Sequence, residues 1–362
     1  MSNDIPFFAG ERAWAAERES WLPLIEQELA TGMPLQGDAV ARFEADLAAY
    51  TDREHAIAVG NATDALAFSV LAAGVGPGDE VLVPALSFIA SASSVVRVGA
   101  TPVFVDVDEY GLMDLNRASE LVGERTRAVV IVQLFGQILD PGECERFSEK
   151  HGVTLIEDAA QSIGATAEER RSGSVGSFSC VSFDPTKTVS APGSGGAVLT
   201  SDEQLAARVR RLRWHGRGSD GRHAELGFNS QLPSASAAVL SSKLRRDPEW
   251  TERRRAVAAA YDQALAGTSH TPVGVAPGRE HVFHKYVVRT ADRDALRERL
   301  AAENVPTLIH YASPLPAQPM FASPAGGPWP AAEAHCATAL SLPIHAYLTD
   351  AEVEHICAAL TP

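Results

Sequence analysis

Val153-Thr154-Leu155-Ile156-Glu157-Asp158-Ala159-Ala160-Gln161 is an apolar run that closes on two carboxylates. Its length and composition predict a buried strand over 153–156. In open α/β sheets, ligands collect beyond the carboxyl ends of the strands, so an acid at that end is placed to meet one. The bland alternative is that both acids cap a helix beginning at Ala159 and favour its dipole, with Gln161 one turn into that helix.

Working outward, short apolar runs alternate with helical patterns. Strands are expected at 56–59, 80–83, 102–106, 128–132, 180–183 and 196–199, and a helix from 62 to about 73. Residues 11–50 read as helical, with Leu22, Leu24, Ile25 and Leu29 as apolar positions. Buried strands separated by helices argue for a mostly parallel sheet in an α/β domain. The rhythm changes near residue 245. Residues 247–261 read as a solvated connecting helix, followed by a strand at 285–289, helices at 291–303 and 350–360, and a loop at 323–330. The expected division is a large domain over 1–245, N-terminal helices included, and a smaller C-terminal α/β domain over 246–362.

The chain has 362 residues, 45% hydrophobic and 21% charged, the balance of an ordinary globular protein. A formal charge of −15 argues against nucleic-acid partners. Cys144, Cys180, Cys336 and Cys357 lack metal-type spacing, so no metal is expected and the thiols read as reduced, in the cytoplasm. Residues 1–6 show no signal-peptide pattern. No apolar run is long enough to span a bilayer.

Ser182-Phe183-Asp184-Pro185-Thr186-Lys187 lies downstream of the acidic strand end. A bare lysine there is usually a solvated group. Paired with Asp158, Lys187 supplies what pyridoxal 5′-phosphate requires: an amine to bond the cofactor aldehyde and a carboxylate to keep the pyridine nitrogen protonated. At the first strand–helix junction, Asn61 is a candidate N-cap. The free amides of Ala62, Thr63 and Asp64 would then form a phosphate seat. Phe88, just after a strand, is either a core residue or a stacking platform for a planar ring.

These segments resemble the DegT/DnrJ/StrS family of sugar aminotransferases, which have the aspartate aminotransferase fold (fold type I). The resemblance rests on Asn61-Ala-Thr-Asp-Ala-Leu66, Gly76-Pro-Gly-Asp-Glu-Val-Leu-Val-Pro84, Gly99-Ala-Thr-Pro-Val-Phe-Val-Asp106, Glu157-Asp-Ala-Ala-Gln161 and Ser182-Phe-Asp-Pro-Thr-Lys187. It continues through Gly227-Phe-Asn-Ser-Gln-Leu232, His284-Lys-Tyr286 and Leu340-Ser-Leu-Pro343. It implies that Lys187 bonds the cofactor and shuttles the proton, and that Asp158 holds the pyridine nitrogen. Gln161 would bond the ring hydroxyl and Phe88 stack on the ring. Ala62, Thr63 and Ser182 would bind the phosphate. Asn229 would reach the phosphate of the neighbouring subunit, giving a homodimer with shared active sites. His284, His310, Tyr311 and Gln231 would face substrate.

The implied reaction moves an amino group from L-glutamate or L-glutamine to a keto-sugar on a nucleoside diphosphate, as in amino-sugar or antibiotic biosynthesis. The alternatives are a cyclitol ketone or other acceptor, another carbon–nitrogen reaction of the same cofactor, or a noncatalytic cofactor-binding subunit. The chain departs from the family pattern at Ala62, Gln133, Ile163, Thr188, Ser194 and Gln231, where glycine, histidine, histidine, asparagine, an acid and arginine are usual. These departures touch the substrate shell and leave Lys187 and Asp158 in place.

Overall fold

The computed structural model describes residues 5–321 and 324–361. The reading of residues 1–6 and of the loop at 323–330 therefore falls partly outside the described residues. Eight strands form one sheet, in the spatial order His55–Val59, Gly196–Thr200, Phe178–Ser182, Thr154–Asp158, Thr126–Val132, Glu80–Pro84, Thr101–Val105 and Ala325–Gly326. Gly196–Thr200 runs antiparallel to both its neighbours, and every other pairing is parallel. Phe178–Ser182 and Gly196–Thr200 are buried at every residue, as strands covered on both faces by helices must be. Helix Ala62–Ala72 crosses those two strands. It is buried on nearly all sides, which fits its all-round apolar sequence.

A second, antiparallel sheet joins Thr271–Pro272, Tyr286–Arg289 and Ala339–Leu342. Its core gathers Val257 and Tyr261 from helix Asp247–Leu265, Leu300 from Arg293–Ala302 and Ile356 from Asp350–Leu360 around Val288 and Leu340. Two segments cross between the bodies. Ile5 packs in this second core, while Ala325–Gly326 pairs with Val103 and Phe104 at the edge of the large sheet.

Five local expectations are corrected. Residues 159–164 form turns rather than a helix. The chain leaves the turn through Gly164 at φ +85°, where a Cβ would lie 2.5 Å from the Asp247 carboxylate, so only glycine fits. The strand at 154–158 also runs on through both acids. Helix Asp247–Leu265 is not solvated: it buries Asp247, Trp250, Arg254, Val257 and Tyr261, because its arginines alternate with a full apolar stripe. The N-terminal helical stretch is two helices, Gly10–Ala30 and Asp38–Tyr50, parted by a segment holding Pro34, which cannot continue a helix. The first of these buries Trp21, Glu17 and Glu28 and leaves Leu22 and Leu29 exposed. Finally, the loop at 323–330 contains the edge strand Ala325–Gly326, and a helix, Pro330–Thr338, follows it.

Candidate active site

Because the parallel strands end at one edge of the sheet, the residues that follow them converge there. The antiparallel strand begins at the same edge, with Gly196 paired to both Val59 and Ser182. The result is a cleft of about 440 Å³ lined by Ala62, Thr63, Phe88, Asp158, Gln161, Ser182, Lys187, His284, His310 and Tyr311, with Phe8, Ser194 and Lys285. Ten of the expected site residues thus meet in one place. Asn229 and Gln231 do not line it. They sit on the exterior, where Gln231 donates to Asn229 Oδ1 (3.1 Å) and also pairs with Gln36.

One end of the cleft is a seat for an anion. Asn61 caps helix Ala62–Ala72, its side chain accepting from the Asp64 amide (2.8 Å). The amides of Ala62 and Thr63 belong to the first turn, where no carbonyl of the same helix can accept them. Gly196 keeps this end open: a Cβ there would lie 2.6 Å from the Ala62 nitrogen. Ser182 and Thr63 add hydroxyls at the same end.

The carboxylate side is built by Asp158. Its Oδ2 accepts from Ser91 Oγ (2.8 Å), which is in turn bonded to Ser87 Oγ (2.8 Å), and its Oδ1 accepts from the Ala160 amide (3.2 Å). Burial pushes the Asp158 carboxyl above its ordinary range, opposed by Ser91, Ala160 and Lys187. Burial likewise holds the Lys187 amine below its ordinary range, against the pull of Asp158 and Asp184. Each group is therefore costly when charged alone, and the pair is relieved by a shared ligand that carries a proton on one side. Phe88 is 54% exposed, an open aromatic face on the wall of the cleft. Gln161 accepts from the Phe135 amide (3.0 Å) and donates to Tyr311 Oη (3.1 Å).

Glu157, the other acid of the strand end, is fully buried and turned away from the cleft. It accepts from Ser179 Oγ (2.6 Å), Gln133 Nε2 (2.9 Å) and the amides of Gly173 (3.0 Å) and Val175 (3.1 Å). It is a structural anchor, not a helix cap, and Gln133, where the family pattern carries histidine, serves it. Sequence reasoning passed over Ser91, Phe8 and Lys285. The four-residue spacing of Ser87 and Ser91 was a readable signal that both lie on one face of a turn. Phe8 is remote in sequence and gave none.

An anion seat, a buried carboxylate, an amine without a hydrogen-bond partner among the described residues and an open aromatic face in one cleft fit a flat phosphorylated pyridine aldehyde. Comparisons with known proteins agree. The model of the DegT/DnrJ/EryC1/StrS aminotransferase family matches residues 16–361. The chain is 39% identical over 92% of its length to a pleiotropic regulatory protein of Geobacillus stearothermophilus, covering 91% of that protein. It is 38% identical over 95% of its length to the dTDP-3-amino-3,4,6-trideoxy-alpha-D-glucose transaminase of Streptomyces venezuelae, covering 92% of it. Among solved structures, S. venezuelae DesV in complex with a ketimine intermediate superposes with a TM-score of 0.96 at 37% identity, covering 99% of this chain and 98% of that one.

Proposed function

Because the chain belongs to the DegT/DnrJ/EryC1/StrS aminotransferase family and is a pyridoxal 5′-phosphate-dependent aminotransferase of fold type I, we propose that it moves an amino group from L-glutamate or L-glutamine to a keto-sugar carried on a nucleoside diphosphate. The convergence of Lys187, Asp158, Ser182 and the first turn of helix Ala62–Ala72 in one cleft carries this reading. The transaminase relative supports the acceptor class, since its name is that of a dTDP-linked amino sugar.

When bound, the cofactor supplies an electron sink that lets the donor Cα–H break as an acid. Lys187 would hold the cofactor through its amine, and the same amine, when free, would carry the donor Cα proton. Depression of the Lys187 pKa enlarges the free-base fraction that can do so. Asp158, fixed by Ser91 and the Ala160 amide, would keep the ring nitrogen protonated. Gln161 would bond the ring hydroxyl and Phe88 would cover the ring face. Ala62, Thr63 and Ser182 would take the phosphate. His284, His310 and Tyr311 face substrate from the other wall.

The working form in this reading is a homodimer with shared sites, in which Asn229 and Gln231, exterior on their own chain, serve the partner's cleft. Exposed Trp14, Leu22 and Leu29 on the first helix, with Met33 and Leu35 in the segment after it, give the N-terminal region an apolar side of the kind that partners cover. The deciding experiment follows the absorbance of the lysine-bound cofactor in purified protein. L-Glutamate or L-glutamine is expected to deplete that band, and a keto-sugar nucleotide to restore it. A band indifferent to both donors sinks the donor assignment, and restoration by a cyclitol ketone alone sinks the acceptor assignment.

A further inference from the structure

A second, smaller pocket of about 60 Å³ adjoins the main cleft, and Phe8, Thr186, Lys187, His284 and Lys285 line both. Lys285 is only 7% exposed. Its Nζ lies 4.7 Å from the centre of the Phe8 ring and 5.6 Å from that of Phe7. Two ring faces thus fix the ammonium in place without neutralising it. Lys187 and Arg254 repel it, and Asp184 alone pulls the other way. Among the described residues, no carboxylate lines the smaller pocket and Lys285 forms no ion pair with any acid. Next to it, His284 is 4% exposed and its Nδ1 has no hydrogen-bond partner among the described residues. A buried cation and a buried polar nitrogen left unpaired side by side are costly unless a ligand completes them.

We propose that Lys285, seconded by His284 Nδ1, is the receptor for the α-carboxylate of the amino donor, which makes the cleft select free α-amino acids over α-amides and simple amines. This rests on the aminotransferase reading above. The choice of carboxylate follows from bonding. The α-carboxylate is attached to the very carbon whose proton Lys187 moves, so its receptor must stand beside Lys187, as Lys285 does. A nucleoside diphosphate is joined through the anomeric oxygen, several bonds from any ring ketone, and its receptor belongs farther out. Burial, Lys187 and Arg254 hold the Lys285 amine down to about 7, with Asp184 opposing, while His284 and His310 are held neutral in the same wall. A bound carboxylate favours the ammonium form, so donor binding should tighten as pH falls through 7.

The test is calorimetric titration of holoenzyme with glutarate, a dicarboxylate without an amine, and separately with UDP. Wild type, Lys285→Met and Lys285→Arg are compared, with the cofactor absorbance confirming an intact site. Lys285→Met is expected to lose at least roughly tenfold in glutarate affinity, Lys285→Arg to keep most of it, and UDP binding to stay unchanged. In wild type, glutarate should bind more tightly at pH 6 than at pH 8. The preference for L-glutamate over its α-amide in the donor half-reaction should collapse in Lys285→Met. Unchanged glutarate affinity in Lys285→Met overturns the assignment. So does equal loss in Lys285→Arg, or a loss confined to UDP. If wild type converts with L-glutamate while Lys285→Met binds glutarate normally, only this assignment fails. If wild type ignores both L-glutamate and glutarate, the donor reading fails with it.

Discussion

Glu157 and Asp158 are adjacent carboxylates, both buried, yet they do opposite things. Strand alternation sends them to opposite faces. Glu157 meets Ser179, Gln133 and two amides, and Asp158 meets Ser91 and the cleft. The sequence showed that an acid would end this strand. It could not show which one faces the ligand, because that depends on register against Val132 and Cys180. Lys187 is the sharper case, since of the two lysines in the cleft it is the one whose charge acts on Asp158, and the proposed reaction needs its amine twice. Lys187→Ala is expected to abolish steady-state turnover and remove the absorbance of the lysine-bound cofactor, while leaving far-UV circular dichroism unchanged.

At the scale of the element, two segments carry testable energetics. Helix Asp247–Leu265 begins with a fully buried carboxyl that accepts from Tyr50 Oη (2.6 Å). Burial pushes Asp247 up to about 6, outweighing the Tyr50 hydroxyl and the arginines Arg254 and Arg255. The folded protein therefore binds this proton more tightly than the unfolded chain, and stability falls as pH rises from about 4 to 6, by up to ~3 kcal/mol. Asp247→Asn should flatten that fall, read from denaturant midpoints across pH 4–7. The second segment is the start of strand Gly196–Thr200. Gly196→Ala puts a methyl 2.6 Å from the Ala62 nitrogen. It is expected to cost ~1–3 kcal/mol and to weaken cofactor retention, measured by melting temperature and by absorbance titration. Periodicity placed both elements well. It read the helix as solvated because arginine counts as polar, although Arg254 is buried and spends its guanidinium on the Phe283 and Ile344 carbonyls.

For the whole molecule, the uncovered apolar side of the N-terminal helices and the exterior position of Asn229 point the same way. A double substitution, Leu22→Glu with Leu29→Glu, is expected to shift sedimentation from dimer to monomer and to lower cofactor affinity together, because in the proposed dimer Asn229 would reach the partner's phosphate. A variant that stays dimeric with unaltered cofactor binding removes these helices from the interface. The apolar positions read in residues 11–50 divide: Val40, Phe43 and Leu47 are buried in helix Asp38–Tyr50, whereas Gly10–Ala30 buries Trp21, Glu17 and Glu28 and exposes Leu22 and Leu29.

What the sequence determined by itself is the alternation of strands and helices, the strand-end positions of Asp158, Ser182 and Lys187, the cap at Asn61, and through ordered motifs the family. These are local properties: hydrophobic period, capping chemistry and turn residues are written within a few positions of one another. What only the tertiary structure decided is the far wall and the fine electrostatics. Phe8, His284, Lys285 and Tyr311 come from segments distant in sequence, and their meeting depends on how the second body packs against the sheet edge. The depressed amines and the raised carboxyl follow from burial, which arises only when those surfaces close over them.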